Sequence, residues 1–222
     1  MPTTTDEPTT PPEPKPYERL TPQAYLVRER AAEYKSEYND GEIVAMGGVS
    51  RRHSLIGSNL TRRLGDQLDG SGCEVHANGM RVRLDTGKRY VYPDVVIACD
   101  GVFEDDEVDV LLNPTVVIEI LSRSTEKKDR GWKFEAYRRI ESLREIVFLS
   151  QDVPLAEVFR RDPEGGEWVS LLPLKGLEAI LRLESIGCAL TLGEVYAGAL
   201  GETARPGGTQ PRSAPHTGPD PK

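Results

Sequence analysis

Tyr92-Pro93-Asp94-Val95-Val96-Ile97 and Val116-Val117-Ile118-Glu119-Ile120-Leu121 are two apolar, β-branched runs, and each carries one carboxylate. Turn formers lie outside both, so both read as buried strands. An ionised carboxylate inside a sheet is costly unless something pairs with it or binds it. Two of them on neighbouring strands point to a site for a hard divalent cation. Cys99-Asp100-Gly101 signals a turn between the runs, the Glu104–Asp109 patch is too acidic for a core, and Asn113-Pro114 punctuates entry into the second run. So short a link favours adjacent antiparallel strands. With a side-chain period of two, Val117, Glu119 and Leu121 share one face, and a suitable register would bring Asp94 onto it.

Ser122-Arg123-Ser124-Thr125-Glu126 then has the form of a helix start, with hydroxyl cap candidates ahead of an acid. The helix is expected from about Glu126 to Ile140. Asp129, Lys133 and Tyr137 stack along one side at i, i+4 and i+8, while Trp132, Ala136 and Ile140 form an apolar stripe for docking on the sheet. A helix packed behind the Glu119 strand aims Lys133 at the two carboxylates.

The ordered set Pro93-Asp94, Glu119-Ile120-Leu121-Ser122-x-Ser124-Thr125, Asp129, Lys133 and Tyr137 resembles the Uma-type restriction endonucleases, a large bacterial family within the PD-(D/E)XK nuclease superfamily. Glu37-Tyr38-x-x-Gly41-Glu42 followed by His53 is similar to that family's opening hairpin and first helix. Ser142-Leu143-Arg144-Glu145 and Leu192-Gly193-Glu194-Val195-Tyr196 resemble its later segments. The likeness covers roughly residues 20–198. It implies a restriction endonuclease-like α/β fold, with a mixed central β-sheet flanked by helices, an N-terminal hairpin and additional C-terminal strands. It also implies that Asp94 and Glu119 are metal ligands for Mg²⁺ or Mn²⁺, with DNA as the partner. The superfamily's usual lysine stands two residues after the acid, where this chain has Leu121; the resemblance implies that Lys133 supplies the ammonium from the following helix. Ser122, Asp129, Tyr137 and Glu37 are the expected supporting residues.

Residues 1–17 are dense in Pro and Thr, residues 201–222 are Gly-, Pro- and Ser-rich, and both are expected to be disordered tails of a single domain over 18–200. No apolar run approaches about 20 residues, which argues against a membrane span. The N-terminus lacks the basic-then-apolar layout of a signal peptide, so a cytoplasmic protein is expected. The three cysteines are scattered and odd in number, which reads as three thiols and neither a disulfide framework nor a zinc site. A net charge of −8 opposes nucleic-acid binding on average. Local grouping matters more, and basic residues cluster at Arg51-Arg52, Arg62-Arg63, Arg81/Arg83 and Lys127-Lys128. Taken alone, each cluster also reads as a solvated face.

Leu20-Thr21-Pro22-Gln23 reads as a capped helix start, and Asn39-Asp40-Gly41 as the turn of a hairpin flanked by Glu37 and Glu42. The resemblance implies that one of these acids helps hold the metal or orient a water, Glu42 being the choice. Ile56, Leu60, Leu64 and Leu68 recur every four residues, marking a core-facing helix with His53 at its start. That histidine is either satisfied by a neighbour or reaches the cleft rim as a catalytic group. Arg81 and Arg83 share a strand face and either grip phosphate, as Lys127 and Lys128 could, or face solvent. Later strands read as scaffold, and no Walker, Rossmann or Gly-x-Ser-x-Gly pattern occurs. The combined expectation is a Mg²⁺-dependent endonuclease acting on DNA, for which a homodimer would cut both strands. The alternative is a nuclease-fold binding module for nucleic acid or protein that does not cleave.

Overall fold

A computed structural model describes residues 19–200, apart from 86, 106 and 108. The expected tails, residues 1–17 and 201–222, therefore lie outside the described residues. Helix α1 (Pro22–Ala31) starts as its sequence predicts: Thr21 accepts a hydrogen bond from the Ala24 N–H at 3.2 Å, with Pro22 at the first position. Strands β1 (Ser36–Asn39) and β2 (Glu42–Ala45) form the predicted hairpin. Its turn residues Asp40 and Gly41 have φ of +48° and +96°, the pair of positive angles that a two-residue hairpin turn requires. Helix α2 (Arg51–Leu68) follows, capped by Ser50, and buries Ile56, Leu60, Leu64 and Leu68.

The remaining strands are β3 (Cys73–Ala77), β4 (Arg81–Leu84), β5 (Arg89–Val91), β6 (Val95–Cys99), β7 (Val110–Leu111) and β8 (Val116–Leu121). After a helical segment come β9 (Glu145–Ser150), β10 (Leu155–Arg161), β11 (Trp168–Ser170), β12 (Leu174–Lys175), β13 (Ile180–Leu183) and β14 (Cys188–Thr191). The described residues arrange these into three sheets. The central one runs β11-β10-β9-β8-β6-β3, with β12 also on β10. It is mixed, because β8 and β9 are parallel while its other pairs are antiparallel. A second sheet runs β2-β1-β5-β4-β7, and β13 pairs with β14.

Both faces of the central sheet are buried, which explains why β8 is apolar throughout except for Glu119. Val95, Ile97, Val116, Ile118 and Ile120 pack against α2 and the β13–β14 pair. Val96, Ala98, Val117, Leu121 and Phe148 pack against Tyr137, Ile140 and the second sheet. Burying each such large side chain contributes roughly 1.5–3 kcal/mol. The expected α/β architecture, with its hairpin and added C-terminal strands, is the one found.

Three expectations change. The helix over Glu126–Ile140 is not continuous: α3 (Glu126–Lys128) passes through a π-helical turn at Asp129–Lys133 into α4 (Phe134–Tyr137). The break falls at Gly131, whose ψ of −119° is not helical. Second, a strand absent from the sequence reading follows the acidic patch: β7, whose Val110 and Leu111 are fully buried and pair parallel with β4. Third, Cys73 and Cys99 are disulfide-bonded, while Cys188 is the free, buried thiol. The reason is register: β3 and β6 pair antiparallel with Cys73 directly opposite Cys99. The last helix among the described residues, α5 (Leu192–Val195), starts with a Thr191/Glu194 capping box. Among the described residues no helix is long and apolar enough to cross a membrane.

Candidate active site

Asp94 lies in the bend just before β6, and β6–β8 register pairs Val95 with Ile118. One residue further along, Asp94 therefore meets the Glu119 end of β8. The Ile120 N–H donates to Asp94 Oδ2 at 2.7 Å, and His53 Nε2 lies 2.8 Å from Oδ1. An ionised carboxylate only accepts, so Nε2 carries the proton in this contact. His53 is thus both satisfied by a neighbour and part of the site, two readings that the sequence set against each other.

Glu119 is 3% exposed, and two donors converge on its Oε1: Lys133 Nζ and the Tyr137 hydroxyl, each at 2.6 Å. Lys133 Nζ also lies 3.1 Å from Asp129 Oδ1 and 3.3 Å from Glu37 Oε1. Lys128 pairs with the other Glu37 oxygen. The π-helical turn keeps Asp129, Lys133 and Tyr137 on the cleft side even though the helix is broken, as such turns often do at functional sites.

Burial pushes the Glu119 carboxyl up to about 8; Asp129 and Asp94 push the same way and Lys133 opposes them. Burial alone would depress Lys133, but Glu119, Tyr137, Glu37 and Asp129 more than reverse this and keep it charged. Burial would likewise raise Glu37, and the ammonium groups of Lys133 and Lys128 hold it below the usual carboxylate range. Burial and Glu119 raise the Tyr137 phenol, which stays a donor.

Glu37, Asp94, Glu119, Lys128, Asp129 and Lys133 line a cleft of about 460 Å³, with Tyr137 fully buried against Glu119. Its other wall is the end of β2 and its connection to α2, Val44 to Ser50, tied down by Ser50 Oγ donating to Gln151 at 2.9 Å. Ser122 is also in the wall, in contact with Ser124 and Thr125. The β2–α2 wall and Gln151 carried no signal in the sequence, because only the packing of β2 over the strand ends brings them there.

Several expected residues stand elsewhere. Glu42 is exposed on the edge strand β2, whereas Glu37 on β1 is 3% exposed and faces the cleft. Of the two hairpin acids, the one that lines the cleft is therefore Glu37, where the sequence reading chose Glu42. Arg81 is buried, giving hydrogen bonds to the Tyr92 hydroxyl at 2.9 Å and Asp109 at 3.1 Å. Arg83 pairs with Glu104 at 3.4 Å. Both guanidiniums belong to the second sheet's own polar network, and neither lines the cleft. Lys127 is exposed on α3, while Lys128 is committed to Glu37.

Among the described residues, no three His, Cys, Asp or Glu side chains converge as a metal site, and the Lys133 ammonium lies against both Glu119 and Glu37. The donor set nevertheless suits Mg²⁺ or Mn²⁺. Such an ion uses hard oxygens, needs only one or two carboxylates and keeps several waters. Both donors to Glu119 fall on Oε1, and a buried carboxyl whose proton affinity is raised is a place where added positive charge is stabilising.

The Uma2 family profile, described as "Putative restriction endonuclease", matches residues 17–193. The chain belongs to this family. Proteins similar to it include Uncharacterized protein slr1290 of Synechocystis sp., 32% identical over 183 residues, covering 82% of this chain and 94% of that one. Uncharacterized protein sll1609 of the same organism is 36% identical over 133 residues, covering 60% of this chain and 75% of that one. The fold is that of a putative nuclease belonging to DUF820 from Anabaena variabilis, with a TM-score of 0.65 at 18% identity over 82% of this chain and 99% of that one. The resemblance carried by Asp94, Glu119 and Lys133 is thus met at the level of both family and fold.

Proposed function

We propose that this Uma2 protein is a metal-dependent endonuclease hydrolysing phosphodiester bonds of DNA, with Asp94 and Glu119 holding Mg²⁺ or Mn²⁺. The observation that carries the reading is the Lys133 ammonium 2.6 Å from Glu119, reached from a separate helical segment although Leu121 takes the usual lysine position. When bound, the ion would polarise the scissile phosphate and acidify a water. His53 and the Ile120 N–H orient Asp94, and the Tyr137 hydroxyl orients Glu119. Lys133, held charged, neutralises negative charge building up on the phosphoryl oxygens. Glu37 and Asp129 fix the position of that ammonium.

Asp94→Ala and Glu119→Ala should both abolish Mn²⁺-dependent cleavage of DNA; full activity in either rejects the assignment. The second reading is a nuclease-fold protein that binds nucleic acid or protein without cleaving it. It is favoured by Leu121, which packs in the core with no charge to offer, and by Lys133 already occupying Glu119 Oε1. Calorimetric titration separates the two, because the nuclease requires Mn²⁺ uptake that disappears with either carboxylate.

A further inference from the structure

A second groove, of about 400 Å³, opens beside the catalytic cleft and shares Asp94 and His53 with it. Its floor is one face of α2. Ser54, Ser58, Thr61 and Arg62 follow one another at i, i+4, i+7 and i+8, and Asn78 beyond β3 stands opposite. These positions lie away from the buried Ile56–Leu60–Leu64 stripe, so the groove side of α2 is polar because the helix is amphipathic. The hydroxyl of Thr61 is taken by the Gly57 carbonyl at 2.9 Å, which leaves Ser54, Ser58 and Asn78 as neutral donors.

The two hollows differ in charge. Four acids, Glu37, Asp94, Glu119 and Asp129, line the catalytic cleft against two lysines, both engaged with Glu37. The side groove has Asp94 as its one acid, shared at the junction, and it has Arg62. Arg62 differs from its neighbours in this respect: Arg52 pairs with Asp152 and Arg63 with Glu194, while Arg62 is exposed on the groove wall and forms no ion pair among the described residues. An acidic cleft in a chain of net charge −8 repels the phosphates on either side of the reacting one. Hydroxyls, amides and guanidinium groups are the usual donors to a phosphodiester backbone, and they position a strand without reading its bases.

We propose that this α2 groove is the backbone-binding subsite for the DNA strand flanking the scissile phosphate, with Arg62 and Ser58 contacting the phosphate next to the reacting one. The inference rests on the nuclease reading for the choice of ligand, and its test does not depend on cleavage. Fluorescence anisotropy of labelled single-stranded and duplex oligonucleotides, with Ca²⁺ as the cation and the full chain as protein, measures affinity across a salt series. Arg62→Gln should weaken binding about five- to tenfold near 0.1 M salt and reduce the slope of log K against log salt by about one. Ser58→Asp, which places a charge against the same phosphate, should weaken it further. Lys175→Gln, the same charge change on the exposed strand β12, is the control and should leave the slope as it was. Wild-type binding and slope in both α2 variants overturn the proposal, as does a wild-type protein that binds no DNA. DNA binding that depends on Arg62 without any Mn²⁺-dependent cleavage keeps the groove and rejects the nuclease reading.

Discussion

Lys133 Nζ and Glu119 Oε1 are 2.6 Å apart, yet the lysine comes from a π-helical turn and the acid from the middle of a buried strand. Leu121, two residues after Glu119, belongs to the apolar cluster on the same sheet face. An ammonium sent from the helix therefore arrives at the acid from above the sheet, while the strand keeps its apolar packing.

Removing that ammonium should be felt twice. Lys133→Met leaves Glu119 buried without its cation, and breaking a buried pair costs about 3–5 kcal/mol, reduced here because Glu119 can take up a proton. Cleavage should fall about 10²- to 10³-fold, the scale of losing one preorganised charge donor at a developing anion. Urea melts and single-turnover cleavage read the two effects, and undiminished cleavage in a folded Lys133→Met protein excludes the assigned role.

The two acids of the hairpin should separate cleanly. Glu37→Gln removes one carboxylate that holds Lys133 and the partner of Lys128, so DNA cleavage should drop at least tenfold. Glu42→Gln, on the exposed side of β2, should stay within about twofold of wild type, an ordinary surface change. Equal losses in the two variants would show that the hairpin side facing the cleft is wrongly assigned.

Metal uptake should depend on pH with a defined sign. Glu119 in the folded protein releases its proton near 8, above its ordinary value, so between those values the folded state holds a proton that the unfolded chain has lost. Stability from this group is therefore fully present at low pH and declines as pH rises towards 8. A cation competes with the same proton, so Mn²⁺ affinity should rise by up to about tenfold per pH unit from 6 to 8 and then level off. Isothermal titration at several pH values measures this, and a flat profile would remove Glu119 from the ligand set.

The Cys73–Cys99 bond closes a loop with a sequence separation of 26 and joins the edge strand β3 to β6. Reduction, or the Cys73→Ser/Cys99→Ser double variant, should lower stability by about 3 kcal/mol. Thermal melts with and without reductant test it, and intact mass under denaturing conditions reports whether two hydrogens are missing.

Local pattern determined much of this protein. Continuous apolar, β-branched runs bounded by turn formers marked β6 and β8, a four-residue repeat marked α2, Asp40-Gly41 marked the hairpin, and Thr21-Pro22 marked α1. Two carboxylates in apolar strands, with a lysine a few turns on, were legible because burying such groups is costly enough to stand out in a sequence. Tertiary structure alone decided which acid of the hairpin faces inward, since Glu37 and Glu42 lie in the same short motif and only packing of β1 against the cleft distinguishes them. It also decided that Arg81 goes to Asp109, that Cys73 meets Cys99, and that the lysine helix breaks at Gly131. Each of these depends on register or on contacts between residues far apart in the chain. Periodicity records which face a side chain takes, and the fold alone chooses what stands opposite it.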